Sequence, residues 1–325
     1  MIYDSLKDIS AEFEVFLFDA FGVFWEGNDF YPNSLSLMKG LKDKGKTVAV
    51  ISNSPEKIED TTDFYNQRGL FKGCHYDYLI TSGNLVHEKI ETGEITFASV
   101  KNPKKYFVIG DDHETFADSI YERVYKPEAA DFIFCGTPYV FKDDIENYPQ
   151  YKKFYWPTKL DENGEICAWN TETVEPFRKR VEEISKLHKP ILNPNPDFTA
   201  KVGHKMVPGS EAVFVIRNGT IAEMFRKKGL EVYEFGKPHA NIFEYTFRIL
   251  QNDGISIDKK RCCMIGDTVR TDIKGAINAG IVPVLCVETG VTAEAVLNGQ
   301  SVESICIQEG IELKQIVQIK SIAGD

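Results

Sequence analysis

Phe16-Leu17-Phe18-Asp19-Ala20-Phe21-Gly22-Val23-Phe24-Trp25-Glu26-Gly27 is the stretch on which the fold turns. A short apolar run that stops at a carboxylate and then a glycine reads as a buried strand opening into a turn. Asp19 then sits at the carboxyl edge of a strand. In open α/β sheets that edge is where ligands bind, because the loops leaving it diverge while the strands beneath stay rigid. On this stretch alone Asp19 is equally well a turn-initiating residue, and the choice rests on what other strands bring to the same edge.

Working outward, Tyr31-Pro32-Asn33-Ser34 starts a helix through Leu35, Met38 and Leu41 that closes at Lys44-Gly45-Lys46. Thr47-Val48-Ala49-Val50-Ile51 is a β-branched run ending in Ser52-Asn53-Ser54-Pro55. With Ser54 as cap and Pro55 at the first helical position, a helix is predicted to run to about Gln67. This βαβα opening predicts a parallel, right-handed sheet. Tyr76–Thr81 is a third strand, and from about residue 83 the rhythm changes. Lys105–Ile109 and Asp131–Phe134 read as strands of a separate α/β unit, and residues 139–175 are aromatic, acidic and turn-rich. Asn193-Pro194-Asn195-Pro196-Asp197 is a rigid turn, and Val207-Pro208-Gly209-Ser210 launches a helix. The alternating charge of 178–189 reads as a solvated helix face. The last third returns to the first style. Glu231–Phe235 is a strand reaching Gly236-Lys237-Pro238, Ile242, Tyr245 and Ile249 share a helix face, and Cys262–Ile265 is a strand reaching Gly266-Asp267. Ile273, Ala276 and Ile277 follow at helical spacing, then Ile281–Val287 as a further strand.

Composition bounds the function. At 325 residues, 42% hydrophobic and 27% charged, the chain suits a soluble globular protein of about two domains. A net charge of −11 and a pI near 5.2 argue against nucleic-acid and anionic-membrane partners, which demand clustered Lys and Arg. Seven cysteines without metal-ligand spacing read as thiols of a reducing compartment, with Cys262 and Cys263 as core packing. Met1 to Glu14 holds no apolar block of signal length and no run reaches eighteen apolar residues, so a cytoplasmic location is expected. His87, His188, His204 and His239 show no metal-site spacing. Phe154-Tyr155-Trp156 and Trp169 read as packing or a partner surface before they read as a stacking platform.

Four strands thus lead to Asp19, Ser52, Lys237 and Asp267, and these residue types share one task. Phosphoryl transfer needs an in-line nucleophile, a divalent cation to offset charge, and cationic or N–H donors on the non-bridging oxygens. Asp19 can attack phosphorus and hold a metal through its second oxygen. Asp267, with Asp272 one helical turn on, supplies hard oxygen suited to Mg²⁺. Ser52 and Asn53 precede a helix amino terminus, which favours an anion, and Lys237 adds a point charge on the phosphate. The blander readings are a capped helix start for Asp267 and Asp272, a turn lysine for Lys237, and turn formers for Ser52 and Asn53.

These segments resemble the four motifs of the haloacid dehalogenase superfamily, in order Asp19-Ala20-Phe21-Gly22-Val23, Ser52-Asn53, Gly236-Lys237-Pro238 and Gly266-Asp267-Thr268-Val269-Arg270-Thr271-Asp272. The long interval between Ser52 and Lys237, with Asn195-Pro196-Asp197 and Pro208-Gly209-Ser210, is similar to the class IIA or NagD-like phosphatases, which insert an α/β cap there. The resemblance implies an α/β fold, a Rossmann-like three-layer core of parallel strands formed by residues 1–82 and 233–325, with a C2-type cap at 83–232. It further implies Mg²⁺-dependent hydrolysis of a small phosphorylated metabolite through a phosphoaspartate on Asp19. Asp19, the Phe21 backbone carbonyl, Asp267 and Asp272 would hold the metal, and Ser52, Asn53 and Lys237 the phosphate. Family members often dimerise through the cap, which leaves a homodimer open. One departure stands out: the family's general acid/base, the second Asp of Asp-x-Asp, is Phe21 here. Such assistance is worth roughly 10²–10⁴-fold, or about 3–5 kcal/mol of barrier, so poor leaving groups should suffer most. The alternatives are a slow or non-catalytic relative that binds a phosphorylated ligand, and a metal-independent dehalogenase, whose motif also has an aromatic residue at that position. A dehalogenase has no need of the Asp267/Asp272 pair. Val108-Ile109-Gly110-Asp111-Asp112-His113 imitates the fourth motif but precedes Lys237, so it is expected in the cap as a solvated strand end.

Overall fold

The structure is a computed structural model that describes residues 2–111, 115–117, 119–138, 175–202 and 213–324. A seven-stranded sheet runs β1-β14-β13-β12-β2-β3-β4, with β1 at Ile2–Ser5, β2 at Val15–Phe18, β3 at Thr47–Ser52, β4 at Tyr78–Thr81, β12 at Cys262–Gly266, β13 at Val282–Cys286 and β14 at Val317–Ser321. Every pairing in it is parallel. The strands read as continuous apolar runs because both faces are covered. Alternation sorts Phe16, Phe18, Val48, Val50, Cys263 and Ile265 to one face, where α1 (Ser34–Asp43) adds Leu37, Met38 and Leu41. Val15, Leu17, Ala49, Ile51, Cys262 and Met264 go to the other, under α6 (Ala240–Asn252) and α7 (Lys274–Ala279). Three layers result, and each fully buried Leu or Phe contributes about 1.5–3 kcal/mol.

A second, five-stranded parallel sheet runs β11-β8-β7-β5-β6, with β5 at Lys105–Ile109, β6 at Glu122–Arg123, β7 at Phe132–Cys135, β8 at Ile191–Asn193 and β11 at Val232–Glu234. Phe177, Val181 and Ile184 of α4 (Glu175–Ser185) pack on one face of it together with Ile221 and Phe225 of α5 (Asn218–Lys227). The charged residues of 178–185 are thus the outer face of an amphipathic helix, and 186–189 follow its end. α3 (Ser82–Glu91) joins the two cores, Leu85 packing in the first and Val86 and Ile90 in the second. Thr199–Val202 (β9) and Val213–Ile216 (β10) form a separate antiparallel ribbon. Among the described residues no helix is long and apolar enough to cross a membrane.

Two expectations are corrected. The helix after Ser52 begins at Ile58, not Pro55, as α2 (Ile58–Asn66). The Ser54 carbonyl accepts from Gly83 N–H and Ser82 O–H, both at 3.0 Å, and the Glu56 carbonyl from Thr81 O–H at 2.9 Å, so these acceptors are taken from a helical ladder. The strand ahead of Lys237 pairs with β8 in the second sheet, so Lys237 reaches the first sheet's edge from a loop rather than from a strand of its own. The N-terminal segment, to which the sequence reading assigns no element, supplies β1 against β14. The predicted helix start at 207–210, the aromatic cluster 154–156, Trp169, His204, and Asp112 with His113 lie outside the described residues.

Candidate active site

Asp19 follows β2 directly, its N–H still donating to Ile265 O of β12 at 2.8 Å, so the strand ladder fixes its backbone. β12 ends one strand over and puts Asp267 beside it. A π-helical turn, Val269–Ile273, then returns Asp272 over Gly266, where a Cβ would lie 2.1 Å from that of Asp272. One oxygen from each of Asp19, Asp267 and Asp272 lies within 4.8 Å of the others. Two further glycines make the space. A Cβ on Gly22 (φ +77°) would stand 2.3 Å from Asp267 Oδ2, and one on Gly290 (φ +67°) 1.9 Å from it. That same oxygen accepts the Val291 N–H at 2.5 Å, while Thr268 O–H donates to Oδ1 at 3.2 Å.

Lys237, 1% exposed, enters beneath the cluster. Its Nζ donates to Asp19 Oδ1 at 2.6 Å and to Ile51 O at 2.9 Å, and lies 2.8 Å from Asp272 Oδ1 without hydrogen-bond alignment. Asn53 braces this lysine: its Oδ1 accepts Lys237 N–H at 2.7 Å, and its Nδ2 donates to Lys237 O at 3.0 Å and to Asp197 Oδ1 at 2.9 Å. Both ends of the Asn53 amide are therefore engaged, and what it has left to offer an anion is main chain. Ser52 Oγ accepts Ser54 N–H at 3.1 Å, which leaves the hydroxyl hydrogen for a ligand. Phe21 is half-buried and lines the same cavity.

Negative charge is in excess here. Burial pushes the Asp19 carboxyl up to about 7 against the pull of Lys237, and Asp272 and Asp197 act in the same direction as burial. Asp267 is raised well above the usual carboxylate range, by burial first and then by repulsion from Asp272 and Asp19. Burial alone would discharge Lys237, but Asp19, Asp272 and Asp197 hold its ammonium in place. Asp272 Oδ1 is buried with no hydrogen bond among the described residues. A buried oxygen that has the Lys237 ammonium beside it but no hydrogen bond, within a set of hard carboxylate donors, suits a divalent cation, so these residues fit Mg²⁺.

The cluster opens into a cavity of about 280 Å³, toward the small end for a ligand site. Asp19, Ser52, Asn53 and Asp267 line it, as do Trp25 from the loop after β2, Phe64 and Tyr65 of α2, and Thr137, Asn195, Asp197 and Arg217 from the region of the second sheet. The structure thus brings together all the residues singled out above, although Lys237 and Asp272 sit behind the cavity wall. Sequence reasoning missed Gly290 and Val291, whose only signal is a glycine shortly after a buried strand. It quoted Asp197 within a turn motif but gave it no contact.

The fold and this edge define a class of α/β hydrolase whose reacting groups follow the strands of a parallel sheet. The chain belongs to the haloacid dehalogenase-like hydrolases: residues 16–120 match the family model of that description, and residues 234–306 match a second, HAD-hydrolase-like one. Its architecture is that of the NagD-like members. A 4-nitrophenylphosphatase of Schizosaccharomyces pombe is 24% identical over 299 residues, which span 89% of this chain and 88% of that protein. A haloacid dehalogenase-like hydrolase of Brucella suis 1330 superposes with a TM-score of 0.71 at 21% identity, covering 99% of this chain and 100% of its own. NagD from E. coli K-12 superposes with a TM-score of 0.56 at 15% identity, covering 96% and 97%.

Proposed function

We propose that this chain is a cytoplasmic phosphatase that hydrolyses a small phosphomonoester through an aspartyl phosphate on Asp19, with Mg²⁺ held by Asp19, Asp267, Asp272 and the Phe21 carbonyl. In this reading residues 1–82 and 233–325 form the catalytic core, except Tyr233 and Glu234 of β11, which pair in the second sheet, and 83–232 form the cap that selects the substrate. The observation that carries it is the convergence of Asp19, Asp267, Asp272 and Lys237 at one sheet edge, with Asp272 Oδ1 left without a hydrogen bond. The similarity to a 4-nitrophenylphosphatase supports it.

Lys237 fixes one Asp19 oxygen and favours its anionic form against burial, which orients the other for attack. That oxygen forms a bond to phosphorus as the ester P–O bond breaks, and the leaving oxygen departs with the bonding pair. Water then attacks phosphorus, the Asp19 O–P bond breaks, phosphate leaves and the carboxylate is restored. Ser52 O–H donates to a non-bridging oxygen. Bound Mg²⁺ supplies charge compensation for the phosphate. Phe21 can move no proton, so the leaving oxygen and the attacking water exchange theirs with solvent.

The test is p-nitrophenyl phosphate turnover with and without Mg²⁺, with halide release from 2-chloropropionate measured alongside. Nitrophenol release that requires Mg²⁺, without halide, is expected, and in a wider panel aryl phosphates should lead sugar and nucleotide phosphates. Metal-independent halide release overturns the reading. Ligand binding without turnover would favour the second one, a phospho-ligand-binding relative, for which Phe21 is the specific support. Phe21→Asp is expected to raise kcat/KM on alkyl phosphates by about 10–10³-fold and on aryl phosphates much less. No gain would mean that another group already supplies the proton.

A further inference from the structure

The charged side chains lining the cavity are Asp19, Glu56, Asp197, Asp267 and, as the one cation among the described residues, Arg217. Lys237 is buried behind the wall, where it donates to Asp19 and Ile51 and lies 2.8 Å from Asp272 Oδ1. Arg217 is half-buried, and its backbone is fixed: its N–H donates to Phe198 O at 2.8 Å and it stands immediately before α5. The guanidinium makes no hydrogen bond or ion pair with any described residue. The Asp197 carboxyl feels its charge. Asp197 is already served by Asn53 Nδ2 at 2.9 Å, and Lys237 is the stronger charge acting on it. What remains is a planar fork of donors held in the cavity wall without a protein acceptor among the described residues. Guanidinium pairs bidentately with carboxylate and phosphate, and the same charge offsets the repulsion that an acidic cavity presents to a multiply charged ligand.

We propose that Arg217 binds a second oxyanion, a carboxylate or a further phosphate, on the same molecule whose phosphoryl group is cleaved at Asp19. The substrate is then a small phosphomonoester that carries another anionic group. This rests on the phosphatase reading above, and the test separates the two.

Three probes suffice: 3-carboxyphenyl phosphate, its methyl ester and 1,3-phenylene bisphosphate, each assayed by steady-state kinetics with Mg²⁺ and by titration calorimetry. In the unmodified protein the ester is expected to show a KM at least about tenfold above that of the acid or of the bisphosphate. The more favoured of those two identifies the anion. Arg217→Met should bring the ratio to about one, and Arg217→Lys should leave it between, since the ammonium keeps the charge but not the fork. A ratio near one in the unmodified protein, or one that Arg217→Met leaves intact, overturns the proposal. If nothing is hydrolysed, yet calorimetry shows the acid binding tighter than the ester and Arg217→Met erases the difference, the phosphatase reading fails and the Arg217 site stands. Hydrolysis without discrimination does the opposite, keeping the phosphatase and removing the Arg217 site, and a protein that binds none of the probes refutes both.

Discussion

Strands β5 and β12 end in nearly the same words, Val108-Ile109-Gly110-Asp111 and Met264-Ile265-Gly266-Asp267, yet the two sheets use them differently. After β5, Gly110 (φ +92°) lets main chain approach main chain: a Cβ there would lie 2.2 Å from Thr137 O. Asp111 and Thr137 exchange backbone hydrogen bonds at 2.7 and 2.8 Å, and Gly136 makes room on the other side. That strand end is stitched shut. After β12 the space beside the glycines is filled by carboxylates instead, Asp272 against Gly266 and Asp267 against Gly22 and Gly290. The first arrangement satisfies its polar groups locally, whereas the second gathers like charges that a neutral interior would reject. What makes a site of a Gly-Asp strand end is therefore what the neighbouring strands deliver to it.

The sharpest way to break this comparison is to neutralise an aspartate at each strand end. On the proposed mechanism, Asp19→Asn removes the nucleophile and should lower kcat/KM for p-nitrophenyl phosphate by at least about 10⁴-fold. Asp111→Asn should stay within about threefold of the unmodified protein. Equal losses would erase the distinction. A glycine pair sharpens it further. Gly290→Ala puts a methyl group into the Asp267 carboxylate and should cost about 10²–10³-fold in kcat. Gly110→Ala collides with backbone and should lower unfolding stability by about 2–4 kcal/mol while kcat holds. Thermal melts and kinetics on the same two preparations decide whether the losses separate in this way.

Much of the first sheet was legible because its strands are short apolar runs punctuated by glycine, proline and small polar residues, and burial on both faces leaves little else for such runs to become. The ends at Asp19, Ser52 and Asp267 followed from the same punctuation. Lys237 was legible as a residue but not in its setting. Val232–Glu234 carries the pattern of any short strand, and only the pairing Val232 with Ile191 decides which sheet takes it. Pairing across forty residues is a tertiary choice that local pattern does not encode. The start of α2 failed for a similar reason: Ser54-Pro55 is a sound capping signal locally, and acceptors taken by Thr81, Ser82 and Gly83 override it. The Asn53 side chain braces Lys237 against Asp197, a contact set by a partner 144 residues away that local sequence does not announce.

The smallest effect expected is electrostatic, and it turns on a carboxylate of the second sheet that has the partners the first sheet's acids lack. Glu234 ends β11 with its side chain 6% exposed, paired with Arg226 Nη2 at 2.6 Å, accepting Asn193 Nδ2 at 2.8 Å and lying 3.3 Å from His239 Nε2. Burial alone would raise its carboxyl, but His239, Asn193 and Arg226 together hold it below the ordinary value of 4.5, opposite in sign to Asp19 and Asp267. A folded pKa below the unfolded one means that the unfolded chain takes up the proton first as pH falls. The stabilisation is complete above the unfolded carboxylate pKa and lost as pH drops through the folded one. Glu234→Gln should therefore cost about 1–2 kcal/mol in urea unfolding at pH 7, and the gap to the unmodified protein should close as both are taken below about pH 4. A gap that stayed constant with pH would assign the loss to hydrogen-bond shape, and the charge contrast between the two sheets would then rest on the Asp19 cluster alone.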